Sequence, residues 1–229
     1  MPIVAGLVLL ILLAVVFGPQ VWVHHVLRRH GADRPDLPGT GGELARHLLD
    51  EAGLHSVKVE TTDRGDHYDP EARAVRLLPQ HHDGRSVAAV AVAAHEVSHA
   101  VQHARGERAF AARVALVGKL VWIDRAATAI MLLAPVVFIL VKAPALFALQ
   151  IFAGVLLLGM HVVVHVVTLP VELDASFAKA LPLLARGQYL SPADLPAART
   201  VLRAAAWTYV AAALATLLNV ARWFRVLRF

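Results

Sequence analysis

The chain has 229 residues, enough for one domain with a sizeable core, yet 58% are hydrophobic and only 17% charged, against roughly 45–50% and about 25% in an ordinary globular domain. The excess gathers near both ends and over 126–167, around a polar stretch from 24 to 125; this points to membrane segments around an aqueous-facing domain and away from a soluble protein. The absence of cysteine excludes a disulfide framework and any thiolate zinc site, and the net charge of +5 sits mainly beside apolar runs, where it suits anionic lipid rather than nucleic acid.

In chain order, Pro2 to Val23 carry no charge and are long enough to cross roughly 30 Å of hydrocarbon as a helix. No Lys or Arg precedes the run, and its apolar core is longer than that of a signal peptide, so a retained anchor over 1–23 is expected in preference to a cleaved leader. A linker rich in Gly, Pro and Asp follows over 31–42. Thr40 is expected to cap a helix over 41–52, with Glu43 as its capping-box partner. SVKVETT (56–62) and RAVRLLP (73–79) read as two strands of a small β-hairpin, joined by a turn at DRGDHYDPEA (63–72). From Ser86 the pattern becomes helical.

Residues 126–141 and 145–167 are each long enough to span a bilayer and are joined only by Lys142-Ala143-Pro144, which predicts a transmembrane hairpin over 126–167. A polar helical piece follows over 168–203. The Ala-rich stretch 204–221, within a terminal segment 204–229, is marginal as a span, and a buried helix is the alternative. The expected protein is therefore a mainly α integral membrane protein. It has three to four transmembrane helices and a polar domain over 24–125 that carries the small hairpin.

Charge suggests the orientation. Arg28, Arg29 and Arg34 follow the first span and nothing basic precedes it, which puts the polar domain in the cytoplasm. Arg105, Arg108, Arg113, Lys119 and Arg125 agree. Arg222, Arg225 and Arg228 disagree if 204–221 crosses the membrane.

The chemistry is concentrated in AVAAHEVSHAVQH (91–103), which contains His95-Glu96-Val97-Ser98-His99, the HExxH pattern. Residues four apart lie on one helix face one turn apart, so two imidazoles can converge on one ion. The carboxylate directly after the first histidine lies beside that ion, where it can take a proton from water. An amphipathic helix with incidental histidines is the competing reading. The surrounding Ala/Val-rich helical run is the context that the zinc motif requires.

A third ligand is sought in TLPVELDASFAKAL (168–181), where Glu172 and Asp174 are the first acids after the apolar hairpin. Two spans between His99 and this segment return the chain to the same membrane face. Pro170 suits the first turn of a new helix, and Glu172 as a merely solvated acid at its start is the alternative. His103 continues the row of His95 and His99 and reads as cleft-lining or structural. His161 and His165 share roughly one face with Glu172, and a role lining the site is plausible for them. His81 and His82 read as loop residues. His67 and Tyr68 read as a polar turn that could reach the cleft. No GxSxG elbow, phosphate loop, Rossmann fingerprint or Cys nucleophile is present.

DHYDP (66–70), GRSVAAVAVAAHEVSHAVQH (84–103), LPVELDAS (169–176) and AAAWTYVAAAL (204–214), together with the lone N-terminal span, resemble the neutral zinc metallopeptidases known as YugP-like membrane proteases. The resemblance runs over nearly the whole chain and implies a multi-pass protein of a bacterial or archaeal cell membrane with a gluzincin-like site. It implies that His95, His99 and Glu172 bind Zn2+ and that Glu96 is the catalytic base. Ser98 stands where such motifs usually have glycine, and Asp174 where asparagine is frequent.

The expected function is a zinc-dependent endopeptidase acting on a peptide or membrane-protein substrate at the bilayer, with no nucleic-acid partner. The strand over 73–79 is expected to be the edge on which substrate is laid. An inactive zinc-binding scaffold, or a transporter using intramembrane histidines, are the readings from other classes. Nothing in the sequence gives an oligomeric state.

Overall fold

The computed structural model describes residues 2–208. It is mainly helical, with one small sheet. Helix α1 spans Pro2–His30, α2 Gly41–Glu51, α3 Pro79–His82 and α4 Val87–Ala104. Two long helices follow, α5 at Arg108–Val141 and α6 at Pro144–Leu173; α6 runs into a π-helix over Asp174–Ala180 and then into α7 at Leu181–Arg186. Residues 195–208 are again helical. The expected terminal helix over 204–221 lies mostly outside the described residues.

Helix α4 is the hub. It packs against α2, α3, the sheet, the π-helix and α7, and all of its 18 residues except Val101, His103 and Ala104 are buried. A helix enclosed on every side must let its neighbours come close, and a run of Ala and Val does so with little side-chain entropy to lose. Ser86 caps it, its Oγ accepting from the Ala89 N–H at 3.0 Å. Helix α2 begins as expected: Thr40 accepts from the Glu43 N–H at 3.2 Å, and Glu43 accepts from the Thr40 N–H at 2.8 Å. Arg34 ties the preceding linker to the C-terminal region through Asp36 and Asp194.

The sheet differs from the expected hairpin. Strands β1 (Lys58–Thr61), β2 (His67–Asp69) and β3 (Ala74–Leu77) lie in the order β1-β3-β2. β1 pairs with β3 in parallel, and β2 pairs with β3 antiparallel, Tyr68 opposite Val75. The tight turn is shorter than the sequence suggested. Asp69 Oδ1 accepts from the N–H groups of Glu71 and Ala72, both at 2.9 Å, and Arg73 turns the corner at φ 49°. His67 and Tyr68 are thereby left extended, as a strand. β3 is the central strand and has no free edge for a substrate; the edge beside α4 is β2.

Pro170 also departs from expectation. It lies inside α6 and starts no new helix. The chain continues past it and widens into the π-helix, where the Leu181 N–H reaches the Ser176 carbonyl five residues back. π-Turns of this kind re-aim side chains within a helix. His81 is likewise no loop residue: it is buried in α3, 2.8 Å from Asp66 Oδ2.

Helices α5 and α6 pack along one another as a hairpin closed by Lys142 and Ala143. Among the described residues α5 is the one helix long and apolar enough to cross a membrane, against the three to four expected; the expected spans 2–23 and 145–167 fall on α1 and α6.

Where α2 meets the N-terminal end of α4, a Cβ on Gly41 would stand 2.2 Å from the His81 carbonyl oxygen and 2.9 Å from that of Ala89. Both obstacles are backbone. Gly41→Ala is therefore expected to destabilise the domain by about 1–3 kcal/mol, as overpacking does, and to lower the midpoint of thermal unfolding followed by circular dichroism.

Candidate metal centre

Two helices bring three residues together. His95 and His99 stand one turn apart on α4, their rings 4.7 Å apart, and Glu172 approaches from the end of α6. Glu172 Oε2 lies 3.1 Å from His95 Nε2 and 3.4 Å from His99 Nε2. A ligand atom from each of the three lies within 4.8 Å of the other two, and all three residues are buried. A tetrahedral zinc ion with bonds of about 2.0–2.1 Å has ligand–ligand edges of about 3.3–3.4 Å. The two carboxylate–imidazole distances fall around that edge, so the donor set fits zinc in chemistry and in size.

Both imidazoles are held by their other nitrogen. Gln102 Nε2 donates to the Val171 carbonyl at 3.1 Å and to Asp174 Oδ2 at 2.7 Å, so its amide oxygen is the acceptor that faces His99 Nδ1 at 2.8 Å. That makes Nδ1 a protonated nitrogen and leaves Nε2 as the atom that faces Glu172. Ser176 Oγ donates to the Leu202 carbonyl at 3.2 Å and so accepts from His95 Nδ1 at 3.1 Å. The same tautomer follows. Orientation of ligand histidines through Nδ1–H is how proteins aim Nε2 at a metal.

The electrostatics agree. Burial opposes ionisation of Glu172, but the charge and hydrogen bonds of His99 and His95 outweigh it and hold the carboxyl well below its ordinary range. Burial also opposes the protonation of His95, yet its hydrogen bond to the Glu172 carboxylate and the charges of Glu96 and Glu172 raise its pKa. A cluster with a buried carboxylate draws positive charge, and a proton on His95 and a divalent cation are alternative ways to provide it. Arg113 of α5 adds to this, with Nη1 2.9 Å from Glu172 Oε1. The contact is an ion pair rather than a well-directed hydrogen bond.

Glu96 is buried and lines the same cavity of about 330 Å³, with His67, Tyr68, Arg113 and Leu27 around it. Asp174 points elsewhere. It pairs with Lys179 and with Gln102, and although burial opposes its ionisation, those two partners leave its carboxyl below the ordinary value. Asp174 therefore reaches His99 only through Gln102. Tyr68, on the edge strand, lies in the cleft, its hydroxyl 2.9 Å from His103 Nδ1. Ser98 fits where glycine is usual because its buried Oγ donates back to the Ala94 carbonyl at 2.7 Å. Arg113, Gln102 and Ser176 were not legible as site residues. For Ser176 a signal existed: it is four residues after Glu172, the spacing that keeps a helix face.

Residues 5–228 match the family described as "Putative neutral zinc metallopeptidase". The chain belongs to this family. It is also similar to the "Putative membrane protease YugP" of Bacillus subtilis (strain 168), with 37% identity over 191 residues, covering 82% of this chain and 80% of the relative. No solved structure matches it.

Gln102→Leu and Ser176→Ala each remove the acceptor that fixes one imidazole. Each is expected to weaken zinc binding by about 10–100-fold, read by competition with a chromophoric chelator. Wild-type affinity in both would show that these hydrogen bonds do not orient the ligands.

Proposed function

We propose that the protein is a membrane-embedded zinc endopeptidase in which His95, His99 and Glu172 hold the metal and Glu96 is the general base. The observation that carries this reading is the convergence of two Nε2 atoms and one carboxylate oxygen in a buried cluster beside the cavity that Glu96 lines. The chemistry a zinc ion supplies at such a site is acidification of water, towards a pKa of about 7, and polarisation of a carbonyl. Glu96 accepts the proton of water as its oxygen attacks the peptide carbonyl carbon, and then delivers that proton to the departing amine nitrogen. Arg113 balances the negative charge of Glu172 from the opposite side of the carboxylate. The substrate backbone adds to the outer edge of β2, which runs past the cavity at His67 and Tyr68.

The membrane reading extends the same argument. Leu132, Val136, Ile139 and Leu140 of α5 and Leu149 and Phe152 of α6 are exposed, a continuous apolar surface that water would penalise and lipid would cover. With α1 as a further span and Arg28, Arg29, Arg105 and Arg108 near the spans' inner ends, the domain over 24–125 faces the cytoplasm.

The test is metal content and turnover on purified protein in lipid nanodiscs. His95→Ala and His99→Ala are expected to lose zinc, whereas Glu96→Gln is expected to keep zinc and fold but lose peptide hydrolysis. Full zinc occupancy in both histidine variants would sink the ligand assignment, and unchanged turnover in Glu96→Gln would remove the base.

A second comparison separates the two acids. Glu172→Gln is expected to lose zinc, whereas Asp174→Asn, which can still accept from Gln102, is expected to keep it. The reverse pattern by elemental analysis would exchange their roles.

A further inference from the structure

A second cavity, of about 250 Å³, adjoins the metal centre. Tyr68 and Arg113 line both cavities and form the wall they share. The second lies between the β2–β3 turn, at Asp69, Pro70 and Glu71, and one face of α5, at Phe110, Val114, Val117 and Gly118. It is apolar in character. Phe110 is buried beneath it and Val117 exposed at its surface. Of its polar neighbours, Glu71 is exposed to solvent, and Asp69 and Arg113 are already engaged. Asp69 gives one oxygen to two backbone N–H groups and the other to Arg76 at 2.6 Å. Arg113 faces Glu172 on one side and the ring of Phe110 at 5.9 Å on the other.

We propose that this cavity is a substrate subsite that takes a large apolar side chain, such as Leu or Phe, from the residue next to the cleaved bond. The proposal rests on the peptidase reading above and adds the substrate preference. A peptide paired to the edge of β2 runs from the metal centre past Tyr68 towards Asp69, and this cavity is the next opening along that path. It opens on one side of the metal centre, so the preference falls on one side of the cleaved bond only. Gly118 lies at its exposed rim. A Cβ built there meets nothing within 4 Å, so a larger residue narrows the cavity without straining the helix, and replacing glycine within a helix favours it.

The test uses the full-length zinc-loaded protein in lipid nanodiscs, wild type against Gly118→Leu, with zinc content and thermal midpoint showing that the variant folds. Peptide mixtures are digested and the cleavage sites read by mass spectrometry. In parallel, Leu- and Gly-derived peptide hydroxamates, which anchor on zinc, are measured for binding. Wild type is expected to favour Leu or Phe on one side of the cleaved bond and to bind the Leu hydroxamate more tightly. In Gly118→Leu the ratio of kcat/KM for Leu over Ala peptides is expected to fall about tenfold or more, the scale at which a pocket discriminates apolar groups, and the hydroxamate preference is expected to fall with it. Should Gly118→Leu not fold, Val114→Ala enlarges the same wall and is expected to move the preference from Leu towards Phe and Trp.

If peptides are cleaved but the profile is the same in wild type and variant, the subsite is overturned and the peptidase reading stands. If nothing is cleaved but the Leu hydroxamate preference exists and is lost in the variant, the subsite stands and the turnover reading falls. Equal binding of the two hydroxamates to wild type overturns the subsite. Binding of neither overturns the metal reading and the subsite with it.

Discussion

The structure turns on a carboxylate that water does not reach. Glu172 is 1% exposed, and an ionised carboxylate in such a place costs several kcal/mol unless positive charge and hydrogen-bond donors surround it. Two imidazoles and the Arg113 guanidinium do so. Each must then be held against its own burial, which explains the ring of supports behind them. Gln102 and Ser176 fix the histidines from α4 and the π-helix, while Asp174 and Lys179 fix Gln102 in turn. Helix α4 can sit among so many neighbours because its other residues are almost all Ala and Val.

The same constraint explains the path of the chain. His99 and Glu172 are 73 positions apart, and most of the chain between them is the α5–α6 hairpin. That hairpin leaves the domain and returns, and its return delivers Glu172 to α4. Arg113 sits on the outgoing helix and Glu172 at the end of the returning one. Their ion pair therefore also closes the base of the hairpin over the site.

What could be read in the sequence follows from how local each feature is. The pairing of His95 with His99 depends only on helical spacing, and the Thr40–Glu43 box only on one turn, so both were legible. The hairpin argument limited where the chain could return to the segment with Glu172 and Asp174, and the choice of Glu172 rested on the resemblance of LPVELDAS. Strand pairing is a different matter. The runs around Val59 and Val75 read correctly as strands, but nothing local says that they run parallel, or that a third strand at Tyr68 enters between them in sequence and beside them in space. The short turn made by Asp69 and Arg73 decides that, and its strand has only three residues. Pro170 was misread because a proline usually marks a helix start, whereas here the helix carries it and widens into a π-turn. Arg113 gave no signal, since beside an apolar run it looks like any basic residue at a membrane surface.

Those differences change the path open to a substrate on the peptidase reading. A free edge at β3 would have set the substrate over the middle of the domain, away from the hairpin. On the peptidase reading, with β2 as the edge, an extended substrate lies between the HExxH helix and α5, within reach of Val117 and, five residues further along, the exposed Trp122. Tryptophan favours the boundary between lipid and water. On the peptidase reading the cleft therefore runs from the interior of the polar domain to the level of the membrane surface along one helix. A segment just outside the bilayer could enter it without leaving the membrane's neighbourhood, with its apolar residues meeting apolar walls and its backbone meeting the edge of β2. On that reading the small sheet serves twice, its central strand packing into the core through Val75 and Leu77 and its edge strand β2 presenting the substrate to the metal centre.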